Sequence, residues 1–386
     1  LRLQEQSGVG SALQLDTARE TAADQVLRSV NLAARTIGHA LDSALRRSAP
    51  ATPARRFGRV RPGGLAAGGV VPDRERVGLA RDVVAQDGEV VLARGADPSA
   101  DPGLVLRAAR AAAESGLALS DFTLSRLAAT AAPLAEPWPA AIRDDFLALL
   151  GCGRPAITVL ESLDLAGLLG PLLPEWDAVR GKAQHNPAHR FTVDRHLFEA
   201  AAYAAEHAAT SSRPDLLLLG ALLHDIGKGY RGDHSEAGAP VAASIARRIG
   251  LPDGDVATIE ALTRHHLLLP DTATRRDLDD PVTIRIVTEA VGGSGDLLDL
   301  LHLLTVADAA ATGPAAWSEW KARLVTELVR RAHAVLGGSA PIDVPQLDDR
   351  GRRLAEAGEP AVLVCDDEVI VAAPDRVGVL YRTAGV

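Results

Sequence analysis

Apolar positions recur three and four residues apart over most of the chain, and that spacing predicts helices. In residues 17–47, Ala22, Val26, Val30, Ala33, Ile37, Ala40 and Leu41 follow a helical period. A stretch rich in Pro, Gly and Arg at 50–69 predicts a loop or linker. The period then shortens across 70–96. There Asp87-Gly88 stands between two β-prone runs, which predicts a hairpin. Residues 103–173 return to the helical pattern, with breaks expected at Pro133, Pro137, Pro139 and Pro155. A longer helical array fills 190–335. Pro214 suits a first helical turn, Leu216 to Leu219 with Leu222 and Leu223 predict a fully buried helix, and Gly227 and Gly229 are expected to end it. Further helices are predicted at 235–249, 255–268 with Pro270 beyond, 281–291, 296–311 and 314–336. Residues 361–364 and 368–372 read as strands, and 378–381 as the start of another helix.

Composition narrows the class to a mainly α protein. The chain has 386 residues, 47% hydrophobic and only 3% aromatic, so its core must pack through small and branched side chains. A net charge of −9 lacks the phosphate-neutralising excess of a general nucleic-acid binder, and no nucleic-acid partner is expected. No apolar run approaches the roughly 20 residues that cross a bilayer, so no membrane association is expected. Cys152 and Cys365 are far apart and read as core residues, with a reducing cytoplasm as the expected compartment. The sequence contains no Met.

The candidate chemistry is concentrated. Eight of the eleven histidines lie between positions 185 and 266. At the centre, the buried Leu-rich run delivers His224-Asp225-Ile226-Gly227-Lys228-Gly229. Adjacent residues inside a helix point about 100° apart. At a helix end they can converge, so an imidazole and a carboxylate can grip one hard cation. His196 and Asp308, on other helices, complete a first ligand set of His196, His224, Asp225 and Asp308. With Asp225 as bridge, His234 and His265 could hold a second ion, and two ions would clamp the attacking and leaving oxygens of a phosphodiester. Lys228 is placed to pair with a substrate phosphate. Asp225, Lys228 and His234 are therefore the catalytic candidates. The mixed donors favour Mn²⁺ or Mg²⁺, with Fe or Zn as alternatives. His302 reads as structural.

These residues resemble the HD superfamily of metal-dependent phosphohydrolases. The likeness extends to His185-Asn186-Pro187, His189 to Asp194, Gly232-Asp233-His234-Ser235, Arg264-His265-His266, Arg275-Arg276-Asp277, Thr305 to Asp308 and Trp317 to Lys321. Together they resemble the bifunctional uridylyltransferase/uridylyl-removing enzymes that act on PII nitrogen-signal proteins. The resemblance implies an order of parts. Residues 1–57 would be the helical tail of a nucleotidyltransferase domain without its catalytic part, and 58–100 a loop and hairpin insertion. Residues 101–175 would be a helical linker, 176–340 the HD domain, and 341–386 a linker with the start of an incomplete, ACT-like α/β domain. Transferase activity is then not expected. Glutamine sensing would fall to ACT domains that are incomplete here. The implied reaction is removal of UMP, or AMP, from a nucleotidylated tyrosine of PII. Two alternatives are a hydrolase of free nucleotides or cyclic dinucleotides, and a non-catalytic module that binds PII.

Overall fold

A computed structural model describes residues 3–12, 21–48, 76–186, 188–313, 316–338, 352–354, 361–364 and 369–372. The chain opens with helices α1 (Leu3–Ala12) and α2 (Ala22–Ser48). Strands β1 (Val77–Ala80), β2 (Val83–Gln86) and β3 (Glu89–Leu92) follow, then α3 (Leu104–Ser115) and the two-residue β4 (Ala118–Leu119). Helices α4 (Asp121–Thr130), α5 (Ala140–Gly151), α6 (Arg154–Leu165) and the short α7 (Leu169–Leu172) lead to the site-bearing array. That array comprises α8 (Val193–Glu206), α9 (Pro214–Leu223), α10 (His234–Ile249), α11 (Asp253–His265), α12 (Leu268–Arg275), α13 (Pro281–Ala290), α14 (Gly295–Thr312) and α15 (Glu319–Leu336). Strands β5 (Ala361–Val364) and β6 (Val369–Ala372) pair antiparallel near the end. The protein is thus mainly α. Among the described residues, no single helix is long and apolar enough to cross a membrane.

The hairpin at Asp87-Gly88 forms as the sequence predicts. Both residues have positive φ (56° and 80°), as a two-residue type I′ turn requires. The sheet is larger than a hairpin, however. Its order is β1-β2-β3-β4, with β4 parallel to β3. Two residues carry too little alternation to be read as a strand.

Three boundaries differ from expectation, each through proline or glycine. Pro155 starts α6 instead of breaking a helix, because a first-turn residue has no N–H to lose. Pro270 lies in the first turn of α12, a helix the periodicity does not separate from α11, and is no terminator. The buried helix α9 ends at Leu223, before its glycines, and Ile226–Gly229 form a 3₁₀ turn. In that turn Gly227 is required by space: a Cβ there would lie 1.8 Å from the His234 carbonyl oxygen and 2.6 Å from the Gly238 nitrogen. The residues expected to open a helix at 378–381 lie outside the described residues, as does Cys365.

One buried apolar cluster runs from Val83 through α3, α5, α6, α8, α9 and α14 to Ala332, with Trp176 stacked on Phe198 at its centre. Long helix α2 is pinned to this body by polar contacts. Arg28 donates to the carbonyls of Asp177 (3.0 Å) and Ala178 (3.1 Å), and Asn31 to that of Gly181 (3.1 Å). Arg35 bridges Asp194 (2.7 Å) and Asp164 (3.2 Å), two buried carboxylates. These contacts hold the segment 177–186, which forms one wall of the site.

Candidate metal centre

Five helices and one 3₁₀ turn deliver the site. His196 projects from the first turn of α8. His224 caps the C-terminus of α9, and Asp225 follows at the start of the 3₁₀ turn. His234 opens α10, whose preceding Asp233 accepts from the N–H groups of Ser235 and Glu236. His266 caps the C-terminus of α11, and Asp308 lies on the last turns of α14.

The side chains fall into two groups that share a carboxylate. In the first, His196 Nε2 lies 3.0 Å from Asp308 Oδ1 and 3.3 Å from His224 Nε2. Asp225 Oδ2 approaches the same two imidazoles at 3.6 and 3.5 Å. In the second, Asp225 Oδ1 lies 3.5 Å from both His234 Nε2 and His266 Nε2. Each group, His196/His224/Asp308 and Asp225/His234/His266, has the donor types and closeness to hold a metal ion.

The fit to cations is visible in the hydrogen bonds. His224 Nδ1 donates to the Ala221 carbonyl (2.8 Å) and His266 Nδ1 to that of Thr263 (2.7 Å). When the imidazole is neutral, that arrangement leaves the Nε2 lone pair facing its group. Asp225 Oδ1 is buried without a hydrogen-bond partner. A buried acceptor of this kind is costly unless something satisfies it. Four imidazole nitrogens and two carboxylates converging, one carboxylate oxygen an orphan, are the donor set of a divalent-metal site.

Electrostatics point the same way. Burial opposes charge on Asp225, but His224, Lys228 and His266 outweigh it and hold the carboxyl well below its ordinary range. Asp308 is likewise held well below by His224 and His196 despite burial. His224 is pushed up: burial opposes its charge, and Asp225 and Asp308 overcome that. Burial pushes His234 down, with Asp225 opposing.

The predicted residues are thus placed unequally. His196, His224, Asp225, Asp308 and His234 come together. His265 does not: it is half-buried beside Arg264 and Glu236, while its neighbour His266 enters the cluster fully buried. One residue along a helix is a rotation of about 100°, enough to exchange inside for outside. Lys228 lines the site, but its ammonium is already engaged with Asp225 Oδ2 (2.5 Å) and Gln184 Oε1 (2.7 Å). His189 was not among the predicted ligands. Its ring meets that of His196 edge-on at 5.3 Å, and burial, aided by Lys228 and His196, pushes its pKa down to about 4. Its Nδ1 is buried without a partner. The clustering of His185 and His189 before α8 is the sequence signal that could have included it.

Above the cluster opens a cleft of about 680 Å³. Asp225, His234, His266 and Asp308 line it, with Lys182, Gln184 and His189 on one wall and Trp317 and Lys321 on another.

Residues 193–312 match the HD domain family model. The chain carries an HD domain. The matched span contains every ligand candidate and all the elements that carry them. Relatives named bifunctional uridylyltransferase/uridylyl-removing enzyme are similar over a wider range. The one from Streptomyces coelicolor is 52% identical over 344 residues, covering 88% of this chain and 40% of the relative. The one from Mycobacterium tuberculosis is 46% identical over 364 residues, covering 93% and 44% respectively. A third, from Corynebacterium glutamicum, is 37% identical over 268 residues, covering 69% and 38%. This HD-domain chain therefore spans about two fifths of the length of the curated relatives it matches.

Proposed function

We propose that this chain hydrolyses the phosphodiester linking a nucleotide to a tyrosine of a PII protein, releasing UMP or AMP. The observation that carries this reading is the pair of ligand groups sharing Asp225 at the floor of an open cleft. The relatives' name supplies the uridylyl group to be removed, the family resemblance supplies PII, and the HD domain supplies the reaction class. Control by glutamine, which the resemblance assigns to ACT domains, belongs to the same reading.

His196, His224, Asp225 and Asp308 would hold one divalent ion, and Asp225, His234 and His266 would hold a second. Mn²⁺ or Mg²⁺ suits the carboxylate share of the donors. Such ions supply Lewis-acid stabilisation and activation of water. The chain's own residues do the rest. The Ala221 and Thr263 carbonyls fix the His224 and His266 rings, so no reorganisation is needed during reaction. Lys228 compensates charge on Asp225 and lines the cleft, where its remaining donor meets a non-bridging phosphate oxygen. A bond forms from water oxygen to phosphorus, and the bond from phosphorus to the tyrosine oxygen breaks. The water gives up a proton, and the tyrosine oxygen gains one.

The test is nucleotide release from uridylylated and adenylylated PII with Mn²⁺ present. Asp225→Ala is expected to lower release by at least about a hundredfold. Undiminished release would overturn the site assignment. Hydrolysis of free nucleotides without release from PII would move the reading to another substrate.

A further inference from the structure

The cleft is larger than a phosphoryl group needs and falls within the size range that encloses a small organic ligand. Its floor is polar. Among the described residues lining it, Trp317 is the one aromatic side chain besides imidazoles. Aromatics are scarce in this chain, with four Trp, three Tyr and five Phe. Trp138 and Trp176 are buried in the core, and Trp320 is exposed to solvent. Trp317 does neither: it is half-buried, packs against the core and borders the cleft.

Its backbone is braced on both sides. The Ala316 N–H donates to the Gly313 carbonyl (2.9 Å). Ser318 caps α15 by accepting from the Lys321 N–H, and Lys321 Nζ reaches back to the Ala316 carbonyl (3.2 Å). The segment also continues from the floor. Asp308 and Thr312 sit one turn apart on α14, their side chains 3.4 Å apart, and Trp317 follows shortly after that helix ends. A flat apolar surface on a braced backbone, beside the polar floor, suits the base of a nucleotide.

We propose that Trp317 is the stacking platform for the nucleobase of a 5′-nucleotidyl ester whose phosphorus lies over the His/Asp cluster, with Lys321 bracing that platform. This rests on the phosphohydrolase reading above. Stacking is tolerant of base identity, so the platform serves a uridylyl and an adenylyl group alike.

Two esters with a common leaving group test it in the presence of Mn²⁺: thymidine 5′-(p-nitrophenyl phosphate) and methyl p-nitrophenyl phosphate. The kcat/KM ratio, nucleoside ester over methyl ester, is expected to fall about tenfold or more in Trp317→Ala, through KM. Trp317→Phe is expected to restore most of it. An unchanged ratio in Trp317→Ala would overturn the platform. Calorimetric binding of UMP and AMP supplies a readout without turnover, with a loss of about tenfold or more expected in Trp317→Ala. Unchanged binding there also overturns the proposal. If the unsubstituted protein hydrolyses neither ester, the phosphohydrolase reading fails, and nucleotide binding still decides the platform.

Discussion

Two buried polar networks lie side by side along α8, and they are built differently. Asp194 accepts from Arg35 and from the Gly181 N–H, and Asp164 from Arg35 and Arg180. Each carboxylate there has guanidinium donors to match, and Asp194 has backbone N–H donors as well. Two residues further on, His196 belongs to a cluster in which acceptors face acceptors and Asp225 Oδ1 has no hydrogen-bond partner. Titration separates them as well. Burial keeps Asp164 above its ordinary range despite Arg180 and Arg35, whereas imidazoles and Lys228 hold Asp225 well below its own despite burial. The first network is a staple that is complete in itself. The second leaves ligand atoms unmatched, as a site for a divalent metal would. Burial and charge alone would not distinguish them; unmatched ligand atoms beside a cleft do.

The contrast predicts opposite phenotypes. Asp225→Ala should remove nucleotide release while leaving the fold intact, as circular dichroism would show. Arg35→Ala should do the reverse. Loss of one partner of a buried pair costs about 3 kcal/mol, read as a lower denaturant midpoint, while release falls by less than about tenfold. If Arg35→Ala abolished release without loss of stability, the staple would belong to the site.

Smaller effects sharpen the ligand set. His266→Gln should weaken Mn²⁺ binding by about tenfold or more, measured by calorimetry, whereas His265→Gln should change it by less than about twofold. The reverse order would restore His265 as the ligand. The last effect is one of pH. Burial opposes charge on His224, but Asp225 and Asp308 raise its pKa above the ordinary 6.5. In the metal-free protein the stability this group contributes is present below 6.5 and lost as pH rises through the raised folded value. Metal needs the neutral ring and takes over there. The rise in melting temperature on adding Mn²⁺ should therefore be greater near pH 8 than near pH 5.5. An equal rise at both would count against His224 as a ligand.

Much of this was legible in the sequence, and the failures have physical causes. The spacing of His196, His224-Asp225 and Asp308 was readable because each follows or lies within an apolar helical run. The choice between His265 and His266 was readable too, had the α11 stripe been followed. Val256, Ile259, Leu262 and Thr263 are buried, and the next position on that face is 266. Helix α12 was not separable, since Pro270 carries the same signal for a helix's first turn as for its end. Strand β4 is fixed by pairing with β3 and not by its own two residues. Arg35 is silent in sequence because both its partners lie more than a hundred positions away.

Gly227 has a consequence for how the site tolerates change. Its missing side chain lets the 3₁₀ turn rest directly against the first turn of α10. The gap between Asp225 and His234 is therefore gauged by main chain against main chain. A methyl group at 227 would shift it. The spacing of the two ligand groups is thus set at a position intolerant of a single added carbon.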